Sequence, residues 1–210
     1  MNTRHVTLYH ASPSRSSGVL TLLEALGADY ELKRIDLKAG DNLRADFLAL
    51  NPMGKVPTLV HDGVPVTEQV AVYQYLAELY PEAGLAPAPG DALRGPFLRW
   101  LAFYGSCFEP AMVDKALKRE TAPRGMSPYV DADTVLDVLE QQLAPGPWLL
   151  GERQSAADFL WGSALGWMSQ FGLLQPGPAT TAYIARMAAH PAVLRSRQID
   201  AGKSEVGANR

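Results

Sequence analysis

Between residues 5 and 80 the hydrophobic positions switch between a period of two and a period near four. Residues 5–9, HVTLY, predict a short strand, and a Ser/Pro-rich segment follows at 12–17. Val19, Leu22, Leu23 and Leu26 recur at helical spacing, and Gly27 closes that helix. Residues 30–37 alternate apolar and charged side chains, as a half-buried strand does. Residues 42–50 predict a short helix. Two strand-like runs, 56–61 and 64–66, flank Asp62-Gly63, a strong hairpin signal. Val72, Leu76 and Leu79 line one face of a further helix, which Pro81 stops. The order is βαβαββα. A strand–helix–strand start implies a parallel pair, and the hairpin adds an antiparallel edge.

Past residue 81 the pattern changes. Pro81, Gly84, Pro87, Pro89 and Gly90 give a linker composition. Beyond it the strand signals vanish. Residues 93–118 read as one long helical stretch interrupted near Pro110. Val135, Leu136, Leu139 and Leu143 mark another amphipathic helix, and residues 155–171 and 180–189 two more. The expected organisation is an α/β domain at 1–81, a linker at 82–92, an all-helical domain at 93–200 and a frayed tail at 201–210.

Composition narrows the picture. With 47% hydrophobic and 20% charged residues, the 210-residue chain is of globular type and not disordered. A formal net charge of -3 gives no reason to expect nucleic acid or an anionic membrane as partner. The single cysteine, Cys107, cannot close an internal disulfide, which points to a reducing compartment. It sits in a hydrophobic run and is expected to be inert. No apolar run approaches the roughly 18 residues of a membrane helix, and no signal segment is visible, so a cytoplasmic location is the expectation. His5, His10, His61 and His190 lack ligand spacing, so no metal site is expected. Nucleotide-binding glycine motifs are missing.

Three short segments carry the candidate chemistry. Ser12-Pro13-Ser14-Arg15 lies where the first strand hands over to the first helix. Free N–H groups and the helix dipole favour an anion there, and a hydroxyl can donate to it. Helix capping alone would also use these residues. Asn51-Pro52-Met53-Gly54-Lys55-Val56-Pro57 enters a strand through an X-Pro bond, a candidate cis peptide. Val56 would then offer its N–H and C=O to an extended peptide ligand, although an ordinary proline-bounded loop reads the same way. Thr67-Glu68-Gln69 opens the third helix, where Glu68 can serve the dipole or receive an ammonium group.

Taken together, in this order on a βαβαββα scaffold, these segments resemble the thioredoxin-like domain of cytosolic glutathione transferases. The proline-rich linker and the helical second half match that family, as does Ser155-Ala156-Ala157-Asp158, which looks like the family's capping box. The similarity spans roughly residues 4–195 and is most specific in NPMGKVPTL and TEQVAVYQYLAELYP. It implies glutathione as cosubstrate, no metal, a hydrophobic electrophilic small molecule as second substrate, and a homodimer. Ser12 is implied as donor to the glutathione sulfur. A Ser-x-Pro-x-Arg alignment would instead put Ala11 at that position, and Ser14 and Ser16 are alternates. Val56, ahead of Pro57, would pair with the cysteinyl backbone, Lys55 would approach the glycine carboxylate, and Glu68 and Gln69 would hold the γ-glutamyl end. The family commonly has Ser where Gln69 stands. Tyr104, Cys107, Phe108 and Met112 share one helix face that can wall the electrophile pocket, although each residue taken singly reads as core. Conjugation is the implied activity. Reduction of peroxides or disulfides, isomerisation, or a non-catalytic binding role are the alternatives, because a fold does not choose among them.

Overall fold

The computed structural model describes residues 4–202. The chain divides into two compact units: residues up to Gly84 together with those from Ala189 onward, and Leu85–Ala188.

The first unit is built on four strands, β1 (Val6–His10), β2 (Tyr30–Arg34), β3 (Thr58–His61) and β4 (Val64–Val66), in the order β2-β1-β3-β4. β1 runs parallel to β2 and antiparallel to β3, and the hairpin pairs β3 with β4. At its turn, Asp62 and Gly63 both have positive φ, 48° and 79°, which two-residue hairpins require. Helix α1 (Ser16–Leu26) follows β1 and ends at Gly27 with φ 60°. The shorter α2 (Ala45–Leu50) precedes β3, and α3 (Gln69–Leu79) follows β4. Val6, Leu8, Val19, Leu20, Leu23, Leu59, Val72 and Leu76 are fully buried and form the core. Along β1, Val6, Leu8 and His10 point to the buried face. Tyr9 points to the other face, where its ring meets Phe47 of α2 edge-on at 5.6 Å.

One boundary differs from the sequence expectation. The helical domain was to extend over 93–200, but its last helix, α9 (Pro191–Asp200, numbered in chain order), belongs to the first unit and lies along α1. Polar pairs join the two helices. Arg195 Nε donates to Glu24 Oε2 at 2.8 Å, and the hydroxyls of Thr21 and Ser196 lie 2.7 Å apart. The buried side of α9 is small and partly polar (Ala192, Ser196, Ile199), so hydrophobic periodicity carries no record of its partner. The expected frayed tail falls, from residue 203 on, outside the described residues.

The second unit holds α4 (Arg94–Phe103), α5 (Glu109–Ala116), α6 (Ala132–Leu143), α7 (Ala156–Gln170) and α8 (Pro178–Ala188). The interruption expected near Pro110 is a π-helical turn over Tyr104–Phe108, and Pro110 sits harmlessly in the first turn of α5. Trp161 centres this core, donating its indole N–H to the Trp100 carbonyl at 3.0 Å. Among the described residues, no helix is long and apolar enough to cross a membrane.

Candidate active site

The turn between β1 and α1 holds Ser12, Pro13, Ser14 and Arg15, with a cis bond between Ser12 and Pro13. Ser12 and Arg15 are exposed, Ser14 is half-buried and Ser16 is fully buried. Ser14 caps the turn: its Oγ accepts the Ser16 N–H at 3.1 Å, and its carbonyl accepts the Ser17 N–H at 3.0 Å. The Ser14 and Ser16 hydroxyls are 2.7 Å apart.

The loop before β3 is organised by Asn51, which is buried. Its amide donates to the Lys55 carbonyl at 2.9 Å and to Thr58 Oγ1 at 3.1 Å, and its Oδ1 accepts the Met53 N–H at 3.1 Å. Gly54 has φ 60°, and a Cβ there would meet the Asn42 carbonyl at 3.1 Å, so glycine is required. The loop thus delivers Lys55 to the surface and half-buries Val56, which is joined to Pro57 by a cis bond. β3 begins only at Thr58, two residues later than the expected strand, because proline has no N–H for the ladder.

Glu68 stands at the N-cap of α3 with φ 63° and ψ 119°, a strained backbone for a residue with a Cβ. Its side chain is exposed. Gln69 reaches toward the other helix start: its Nε2 donates to the Arg15 carbonyl at 3.4 Å. Its Oε1 is buried without a hydrogen-bond partner among the described residues.

Strand register draws the three segments together. Tyr9 pairs with Thr58, so Val56 and Pro57 lie beside the chain leaving β1. Leu59 pairs with Val66, so Thr67 and Glu68 leave β4 at the same end of the sheet. That end carries the N-termini of α1 and α3, two positive dipole ends and a cluster of hydroxyls. It is suited to an anionic, peptide-like ligand.

Comparison with known proteins agrees. Residues 4–78 match the model of the glutathione S-transferase N-terminal domain. The chain is 31% identical over 183 residues to glutathione S-transferase GstA of Escherichia coli O157:H7, covering 83% of this chain and 88% of that relative. The chain belongs to the glutathione S-transferase family. It is also 29% identical over 201 residues to the disulfide-bond oxidoreductase YfcG of Escherichia coli strain K12, with 89% and 92% of the two chains covered. Among solved structures, a sphingomonad glutathione S-transferase complexed with glutathione superposes with a TM-score of 0.75, at 30% identity, over 93% of this chain and 98% of that one.

Within this glutathione S-transferase fold, one group of residues escaped the sequence reading. His10 is fully buried on the core face of β1. Its Nδ1 lies 2.8 Å from Ser16 Oγ, and its Nε2 lies 2.7 Å from Asp200 Oδ1 at the end of α9. Ser17 Oγ donates to the other Asp200 oxygen at 2.9 Å. Burial works to raise the Asp200 carboxyl. The hydrogen bond and attraction of His10, then the Ser17 hydroxyl and, least, the Ser12 hydroxyl, outweigh it and hold the carboxyl below the usual range. The signal was a histidine at an inward-facing strand position, where alternation calls for an apolar side chain.

The expected pocket wall needs correction. Tyr104 and Phe108 are buried, with rings 5.5 and 4.7 Å from Trp161, and Met112 is 5% exposed. These three are core of the second unit, where the rings of Tyr104 and Phe108 pack against Trp161 of α7. Of the four, Cys107 alone is partly exposed, and its Sγ donates to the Pro128 carbonyl at 3.3 Å.

Proposed function

We propose that this family member binds glutathione at the end of the sheet where the serine turn, Val56 and Glu68 converge, and transfers its thiolate to small hydrophobic electrophiles, as a cytoplasmic homodimer. The observation that carries the reading is that convergence. Val56 would pair its backbone with the cysteinyl residue. Glu68 and the unpartnered Gln69 oxygen would receive the γ-glutamyl ammonium, Lys55 would face the glycine carboxylate, and Ser12 or Ser14 would stand by the sulfur. The glutathione complex of the sphingomonad relative supports this ligand.

Magnitudes are adequate without a metal or a protein nucleophile. A thiol of pKa about 8.5 is only about 3% ionised at pH 7. Lowering it by two units needs about 2.7 kcal/mol. A hydrogen bond to a charged acceptor supplies about 1.5–3 kcal/mol, and a helix N-terminus adds about 0.3–1 kcal/mol. In conjugation to a chloro-aromatic, the sulfur lone pair forms the C–S bond and chloride leaves with the C–Cl electrons.

A second reading is favoured by the disulfide-bond oxidoreductase among the relatives. It keeps the bound thiolate and directs it at a disulfide. Rates with a chloro-aromatic, a peroxide and a mixed disulfide distinguish the two. Conjugation is expected to dominate, and turnover of the mixed disulfide alone would replace it. No retention on immobilised glutathione would refute both and leave a binding module of another kind.

A further inference from the structure

The buried chain Asp200–His10–Ser16–Ser14 crosses the first unit from the C-terminal helix to the turn that faces the proposed ligand. Its separations are 2.7, 2.8 and 2.7 Å. Three members are buried or nearly so; Ser14, half-buried, is the end that a ligand can reach. We propose that this chain is a proton relay, in which His10 takes the proton of the bound thiol through the Ser16 and Ser14 hydroxyls. The inference rests on glutathione being bound as described above.

Hydrogen-bond capacity supports it. Asp200 is ionised and only accepts, so the relay starts from the tautomer of His10 that carries its proton on Nε2 and leaves Nδ1 as an acceptor. Ser16 then donates to Nδ1 and accepts the Ala11 N–H at 3.1 Å and the Ser14 hydroxyl. Ser14 accepts the Ser16 N–H and keeps one lone pair for an incoming S–H. The competing acceptor for Ser16, the Ala11 carbonyl, is farther away at 3.2 Å.

When the thiol ionises, every bond in the row reverses. The S–H bond breaks and its proton joins Ser14, the Ser14 proton passes to Ser16, and the Ser16 proton forms the Nδ1–H bond. The products are a thiolate, which accepts from Ser14, and an imidazolium paired with Asp200. Each oxygen again makes one donation and two acceptances, and no atom is left over. The same row therefore removes the proton and stabilises the anion that remains.

Among the described residues, no other carboxylate or base joins the row. From α1 the neutral Ser16 meets His10, and from α9 Asp200 does, itself held by the neutral hydroxyls of Ser17 and Ser12. From β2, Arg34 lies opposite His10 in register and donates to the Ile199 carbonyl at 2.8 Å. From β3 the neighbour is the neutral Thr58. His10, Ser16 and Asp200 act through Ser14 and are positioning residues. Ser14 alone would touch the substrate.

The test is a pH titration of thiolate absorbance with glutathione bound to the wild-type protein and to Ser14→Ala, Ser16→Ala, His10→Gln, Ser12→Ala and the Ser16→Ala/His10→Gln double variant. Ser16→Ala and His10→Gln should each raise the midpoint by about one to two pH units. The double variant should go no further than either single one, because the residues act as a unit. Glutathione should also move the His10 imidazole 15N signals to imidazolium positions in the wild type and not in Ser16→Ala. Ser16→Ala keeps the His10–Asp200 pair, so it tests the relay even if His10→Gln does not fold. Unchanged midpoints with glutathione still bound overturn the relay, as does a larger shift for Ser12→Ala than for Ser14→Ala. Failure of the wild-type protein to bind glutathione at all overturns the ligand assignment, and the relay with it.

Discussion

Two carboxylates, one in each unit, the first buried and the second partly buried, solve the same problem in opposite ways. Asp158, in the capping box of α7, is fully buried. It accepts the Ser155 and Leu149 N–H groups at 2.8 and 2.9 Å, the Ser155 hydroxyl at 3.1 Å and the Tyr183 hydroxyl at 3.0 Å. Every one of these donors is neutral, burial dominates, and its carboxyl is raised. Asp200 collects fewer bonds, but one comes from a histidine, and its carboxyl is lowered. The neutral cage of Asp158 locks a helix start and a loop into the core. The histidine partner of Asp200 links it to the turn where chemistry is proposed. A buried acid with neutral donors is an anchor; one with a titratable donor is connected to something that can change.

Substitutions can test that contrast. The largest effect is expected at the anchor. Asp158→Ala removes a cap worth about 0.5–2 kcal/mol and orphans buried donors at about 1–3 kcal/mol each. Urea denaturation should therefore show a loss of about 3 kcal/mol or more. Asp200→Asn should lose about 1–2 kcal/mol, since its site is less buried and fewer donors are stranded. Its main consequence should be a raised midpoint of thiolate formation. A stability loss at Asp200 equal to that at Asp158, with the titration unmoved, would erase the distinction.

The pH dependence should separate the two by sign. The lowered Asp200 contributes stability above the unfolded carboxylate pKa of about 3.9 and loses it as pH falls through its folded value. The raised Asp158 contributes fully below about 3.9 and loses that contribution as pH rises through its folded value. Urea midpoints from about pH 5 down to about pH 2 should therefore fall less steeply in Asp200→Asn than in the wild type, and more steeply in Asp158→Asn. The smallest expected change is at Glu68. Glycine there relieves the positive φ and should stabilise the protein by about 1 kcal/mol. Retention on immobilised glutathione should weaken at the same time. Gain of stability without loss of retention would remove Glu68 from the site.

What the chain discloses before folding depends on how local the physics is. The hairpin at Asp62-Gly63, the stop at Gly27 and the capping box at Ser155–Asp158 are each fixed within a few residues, and each stands in the structure where the pattern puts it. The three segments of the proposed site have short signatures as well, those of helix starts and a proline-bounded loop. Tyr104, Phe108 and Met112 stayed open between pocket wall and core because helical spacing shows that a face is apolar, not what covers it. His10 was passed over because a lone histidine has no spacing to read.

By itself, then, the sequence determined the βαβαββα order, the helical second half and the family, because these follow from period, turn chemistry and short motifs. Only the tertiary structure decided that α9 joins the first unit, and that Asp200 meets His10 across 190 positions of chain. A contact between residues so far apart imposes no period on either segment, so it becomes visible only when the backbone brings them within hydrogen-bond distance.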